Sequence, residues 1–359
     1  MKLGIERKIA NHKPIAHGGI YYAGLGYDSK IIDFSSNVNP LGYPPSILKD
    51  LKKEYPFFSV YPDPDSTRLR NYLEKYTGVS KDHIIVGNGA TEIIYNFCRA
   101  FVNGRKVLIP IPTFGEYESA AKLHGASVYF LKTMKLDKEI SKLLDIIPKH
   151  DCVFICNPNN PIGSLIKHKD MLKIVQLAHE RSVLLFVDEC FIEFVSNAKE
   201  SIISRLKEFD NLFVLRSLTK SFGLAGLRVG YGLGSSQMIK VLQKIKIPWN
   251  VSGFAQNVAV RVLSDRLHLE KTRIVIARER KFLKESISKI NGFSCYDSDV
   301  NFLLIKSRRD SKYIQKKLLK KHILIRDCST FRGLNSKFIR VAVRTRHKNL
   351  KLVKALQKL

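Results

Sequence analysis

The chain has 359 residues, 45% of them hydrophobic, enough for one large domain and a smaller one. Its 61 Lys+Arg against 32 Asp+Glu leave a formal charge of +29, weighted toward residues 271–359, which hold 25 basic and 6 acidic side chains. No stretch approaches the roughly 18 consecutive apolar residues of a membrane span, the first ten residues carry charges where a secretion signal has an apolar core, and six scattered cysteines without Cys-x-x-Cys spacing read as reduced core residues. These features predict a cytoplasmic protein with no metal and no membrane partner. Nucleic acid is not expected either. The charge comes without zinc-finger spacing, an aromatic single-strand signature or a low-complexity basic tail. In Ser311–Lys321 the lysines fall between Ile314, Leu318 and Leu319, as on a solvated amphipathic helix.

In chain order, residues 1–45 are rich in Gly, Pro, Asn and Tyr and read as an arm over a site. Residues 46–252 read as a large domain. Apolar runs of strand length recur there between helical patterns: Val107–Ile111, Val128–Leu131, Val153–Cys156, Val183–Val187, Leu212–Leu215 and Val229–Leu233. Such alternation predicts an α/β fold with a mostly parallel sheet covered on both faces, and ligands beyond the C-terminal strand ends. Val86-Gly-Asn-Gly-Ala-Thr-Glu-Ile93 places a glycine turn before a helix start, where the N–H groups of Ala90 and Thr91 can face a phosphate. Pro112-Thr-Phe-Gly-Glu-Tyr117 puts Phe114 just past a strand, where an aromatic ring can stack on a flat ligand. Two Asn-Pro steps in Cys156-Asn-Pro-Asn-Asn-Pro-Ile-Gly163 force a turn that carries Asn160. From residue 253 a long helical stretch, Phe254–Ile290, leads into short strands near Asn301–Ile305 and Phe338–Val343. Residues 253–359 therefore read as a smaller α+β domain.

The densest segment runs from Leu215 to Tyr231. Ser217, Thr219 and Arg228 can hold a phosphate dianion, and Lys220 sits among them. A lysine amine beside a bound phosphate fits a phosphorylated aldehyde held as a Schiff base, which is pyridoxal 5′-phosphate. About thirty residues earlier, Asp188 closes an apolar strand. A carboxylate there can keep the pyridine nitrogen protonated, so that the ring accepts electrons from the substrate Cα.

In this order the segments resemble the fold-type-I pyridoxal-phosphate enzymes of the class II aminotransferase group, over essentially the whole chain. Four segments are similar to the threonine-phosphate decarboxylase branch: His17-Gly-Gly19, Asp33–Gly42 with Val38, Asp188–Phe194 with Phe191, and Ile323–Leu334 followed by Phe338–Arg344. Ser221–Leu227 looks more like the histidinol-phosphate aminotransferase branch, and Ile162 stands where the family's Asn-Pro-Thr-Gly turn usually has Thr. The resemblance implies catalytic roles for Lys220, the lysine that carries the cofactor, and for Asp188, paired with the ring nitrogen. It implies that Asn160 pairs with the cofactor's phenolic oxygen and that Phe114 stacks on the ring. Ala90, Thr91, Ser217, Thr219 and Arg228 would bind the cofactor phosphate, together with Tyr61 from a second subunit of a homodimer. Arg340 would take the substrate carboxylate. Arg326, His17 and Asn37 would serve a substrate phosphate.

Overall fold

The computed structural model describes residues 6–26, 28, 30–47 and 59–359. Residues 1–5, 27 and 29 of the expected arm lie outside them. Seven strands form the main sheet: β1 (Ile84–Asn88), β2 (Lys106–Ile111), β3 (Ser127–Lys132), β4 (Cys152–Cys156), β5 (Leu184–Asp188), β6 (Leu212–Ser217) and β7 (Val229–Leu233). Their spatial order is β1-β7-β6-β5-β4-β2-β3. β4 to β7 are buried along their whole length, so they read as continuous apolar runs, whereas the edge strand β3 alternates exposed and half-buried positions.

All pairings are parallel except those of β7, which is antiparallel to both β1 and β6. This reversal matters for function. β1, β2, β4, β5 and β6 end at one edge of the sheet, and β7 begins there. Asn88, Ile111, Cys156, Asp188 and Ser217 close their strands at that edge, and Arg228, just before β7, joins them.

Register locks the middle of the sheet. Phe154, Phe186 and Phe213 are direct neighbours on β4, β5 and β6. Their rings stack at centroid distances of 4.7 and 5.3 Å, and Phe97 of the helix Gly89–Phe101 covers all three. Each such ring contributes roughly 1.5–3 kcal/mol by burial. The layer therefore holds the strand ends, and the side chains on them, at fixed spacing.

A smaller antiparallel sheet follows: β8 (Phe293–Cys295), β9 (Phe302–Ser307), β10 (Arg326–Asp327) and β11 (Phe338–Ala342), in the order β10-β11-β9-β8. The helical stretch expected over Phe254–Ile290 is two helices, Gly253–Leu263 and Arg266–Ser288. Asp265 makes the break, because its carboxylate accepts the His268 N–H at 3.1 Å and caps a new helix. No helix among the described residues is long and apolar enough to cross a membrane.

The root of the arm belongs to this smaller layer. Ile32–Asp33 pairs in parallel with Ile323–Leu324, and the Arg344 guanidinium donates to the carbonyls of Asp33, Ser36 and Val38. The same root grips the lysine turn. The Asn39 N–H donates to the Lys220 carbonyl at 3.0 Å and its side-chain amide to Ser221 O at 2.6 Å. Gly223 (φ +69°) lets the two backbones approach, since a Cβ there would lie 2.6 Å from the Gly42 carbonyl.

Candidate active site

A cavity of about 540 Å³ opens at the sheet edge where the strands converge. At its base Lys220 rides on a one-turn helix, Leu218–Ser221, started by Ser217 Oγ accepting the Thr219 N–H at 3.1 Å. Lys220 is half-buried and lines the cavity. Desolvation, ahead of the Arg340 and Arg228 charges, pulls its ammonium down to about 8. Its amine is therefore far more available as a nucleophile near neutrality than that of an ordinary lysine.

Asp188, 5% exposed, faces the same cavity. Tyr117 Oη donates to its Oδ2 at 2.5 Å, and the Cys190 N–H donates to its Oδ1 at 2.8 Å. Burial nevertheless raises its pKa. Among the described residues no Lys, Arg or His forms an ion pair with it, and a carboxylate held this way suits a partner that brings a positive charge, such as a protonated ring nitrogen.

One wall forms a phosphate cup. The N–H groups of Ala90 and Thr91 open the first turn of Gly89–Phe101, where a helix has no internal acceptors. Ser217 and Thr219 are buried beside them, and Arg228, held at φ +57°, extends over Gly89. Gly230 allows this closeness, because a Cβ there would run into the backbone of Gly89 and Ala90. Phe114 lines the cavity above, 5.6 Å from the Tyr117 ring. Asn160 Oδ1 accepts from the Arg340 guanidinium, which leaves the Asn160 amide N–H groups as donors toward the cavity. A buried carboxylate, a lysine of lowered pKa, a ring wall and a cup of N–H, hydroxyl and guanidinium donors together fit pyridoxal 5′-phosphate.

The opposite wall comes from the smaller sheet and the arm. Arg326 and Arg340 are directly opposed residues of β10 and β11, 8% and 6% exposed. Arg340 also donates to the Ser35 carbonyl at 2.9 Å, while its Nε is buried with no partner. Arg326 donates to the carbonyls of Ala16 and His17 and to Thr330 Oγ1. Among the described residues no carboxylate lies within 4 Å of either guanidinium. His17 lines the cavity, with Nε2 2.6 Å from Glu116. Asn37, 3% exposed, also lines it, with Oδ1 unpartnered.

Thirteen of the fourteen residues picked out from the sequence thus share one cavity. Tyr61 does not. It is 79% exposed on the outer surface, its ring 4.9 Å from that of Trp249. Sequence reasoning passed over Tyr117 and Phe331. Tyr117 lies three residues past Phe114, and Phe331 lies inside the segment that carries Arg326. Among the described residues no group of three or more His, Cys, Asp or Glu side chains is placed to hold a metal ion.

Residues 29–359 match the family model of class I and II aminotransferases, and the chain belongs to that family. Its members work with pyridoxal phosphate, and the cofactor of this protein is pyridoxal 5′-phosphate. A relative from Caldanaerobacter subterraneus subsp. tengcongensis, provisionally named a threonine-phosphate decarboxylase, is 40% identical over 353 residues, 96% of this chain and 94% of its own. Among solved structures, the histidinol-phosphate aminotransferase of Clostridium acetobutylicum superposes with a TM-score of 0.86 at 34% identity, covering 91% of this chain and 98% of that one. The L-threonine-O-3-phosphate decarboxylase of Porphyromonas gingivalis superposes with a TM-score of 0.84 at 27% identity, covering 91% and 99%.

Proposed function

We propose that the protein decarboxylates L-threonine O-3-phosphate to (R)-1-amino-2-propanol O-2-phosphate, a step of cobalamin biosynthesis. The observation that carries this reading is the pair of opposed guanidiniums, Arg326 and Arg340, buried with no carboxylate within 4 Å among the described residues. An uncompensated buried charge costs several kcal/mol, and two side by side cost more. A substrate with a carboxylate and a phosphate close together neutralises both. The 40% identical relative and the decarboxylase structure support the reading. So does Phe191, buried at the cavity wall where the aminotransferase branch usually carries a tyrosine.

When bound, pyridoxal phosphate supplies an electron sink for the bond that breaks at Cα. The chain's residues do the rest. Asp188 holds the proton on the ring nitrogen. Arg340 grips the carboxylate and sets its angle to the ring, so that the C–CO₂ bond breaks in preference to C–H. Arg326 takes the phosphate, with His17 and Asn37 beside it. After CO₂ leaves, Lys220 delivers a proton to Cα. The working unit is a homodimer in which Tyr61 completes the phosphate cup of the second subunit.

A second reading, histidinol-phosphate aminotransferase, is favoured by Ser221–Leu227 and by the 34% identical structure. One assay separates the two. The purified holoenzyme is given L-threonine O-3-phosphate, or histidinol phosphate with 2-oxoglutarate, and CO₂ and glutamate are scored separately. CO₂ without glutamate is the expected result. Glutamate without CO₂ overturns the decarboxylase reading.

A further inference from the structure

Arg326 and Arg340 pose a physical problem that their hydrogen bonds leave unsolved. They are direct cross-strand partners on β10 and β11, where side chains on one face lie closest and like charges repel. Both are buried, and their acceptors are neutral carbonyl, amide and hydroxyl oxygens. What they share is a ring. The Arg326 guanidinium carbon lies 5.3 Å from the Phe331 centroid and that of Arg340 lies 5.9 Å from it. Both fall within the roughly 6 Å reach of a cation–π contact. Arg340 has a second ring, Phe302, at 5.2 Å, whereas among the described residues Arg326 has Phe331 alone. Phe331 is 9% exposed and forms part of the cavity wall beside both arginines.

We propose that Phe331 is a positioning residue for substrate selectivity: its ring holds two like-charged guanidiniums side by side, and so prepares the site for a ligand with two neighbouring anionic groups. This deepens the function proposed above and rests on its two-anion substrate. A negatively polarised ring face offsets the repulsion between the arginines before the ligand arrives. An aliphatic side chain of similar bulk fills the space without that effect. The cations would then separate, and a ligand that must bridge both loses more than a ligand that meets one.

The test uses the pyridoxal-phosphate holoenzyme and two amine-free ligands that cannot react. One is 3-phosphonopropionate, which carries a carboxylate and a phosphonate; the other is propylphosphonate, which carries the phosphonate alone. Dissociation constants come from calorimetry on the wild type, Phe331→Leu and Phe331→Tyr. Wild type is expected to prefer the diacid. Phe331→Leu should weaken the diacid about tenfold and the monoacid by less than about threefold, while Phe331→Tyr, which keeps the ring, stays within about twofold of wild type for both. If wild type prefers the diacid and Phe331→Leu keeps that preference, Phe331 has no such role. The role also fails if Phe331→Tyr loses as much as Phe331→Leu, since packing alone would then matter. A wild type that binds the two ligands equally removes the two-anion reading itself, and the role of Phe331 with it.

Discussion

Lys220 depends on its surroundings for reactivity. An ordinary lysine is almost wholly protonated at neutral pH, whereas burial brings this one down to about 8. Only the neutral amine attacks the cofactor aldehyde, so the rate at which cofactor-free protein takes up pyridoxal phosphate should rise with pH and be half-maximal near 8, as stopped-flow absorbance would record. Lys220→Ala should bind the cofactor without the covalent linkage and have no measurable turnover; appreciable activity in that variant would displace the lysine from its role. The two arginines should fail differently. Arg326→Ala should raise KM for L-threonine O-3-phosphate about ten- to a hundredfold, the value of a charge-assisted pair to a dianion. Arg340→Ala should lower kcat as well, because the carboxylate loses the contact that sets its angle. Steady-state kinetics that show equal effects on KM alone would contradict this division. Most of these residues were legible in the sequence because donors crowd into a few short segments, with Ser217, Thr219 and Lys220 inside four residues. Tyr117 was not legible. Its bond to Asp188 spans 71 positions and exists only once β2 and β5 share a sheet.

At the level of elements, the strands were readable because burial on both faces leaves unbroken apolar runs. Their directions were not. Val229–Leu233 has the same apolar character whether it runs with its neighbours or against them, and its reversal is what carries Arg228 to the working edge. The break before Arg266 was missed for a related reason. Ser264 and Asp265 are tolerated inside helices, and only the capping bond to His268 makes Asp265 a start. The grip of the arm root on the lysine turn gives a test at this scale. Gly223→Ala adds a methyl group against the Gly42 carbonyl at a positive φ, so the contact must open. A loss of about 1–3 kcal/mol is expected, seen as a lower Tm, together with slower turnover from a displaced Lys220. If Tm is unchanged, the two segments are not in the contact described.

On the whole molecule, Val60, Tyr61, Ile247 and Trp249 are 62%, 79%, 69% and 50% exposed, and the Tyr61 ring packs on that of Trp249. Large side chains exposed together fit the kind of surface that the second subunit of the proposed homodimer would cover. Light scattering should give about 82 kDa, twice the 41.0 kDa chain. Trp249→Lys should yield monomer that loads cofactor poorly, and a fully active monomer would refute the shared site. The high net charge was plain from composition, but composition says nothing about where charge is left without a close partner, and among the described residues no carboxylate lies within 4 Å of the two buried arginines. In the reaction proposed above, the cofactor would be served by the main sheet and its helices, whereas the groups that would meet the rest of the substrate come from β10, β11 and the arm. Inheritance can therefore act on the two sets separately. Mutations in the smaller layer change which molecule is held, and how it is turned, while the machinery for breaking a bond at Cα passes on intact. A lineage with this arrangement can move from one amino-acid reaction to another by small steps without passing through an inert ancestor.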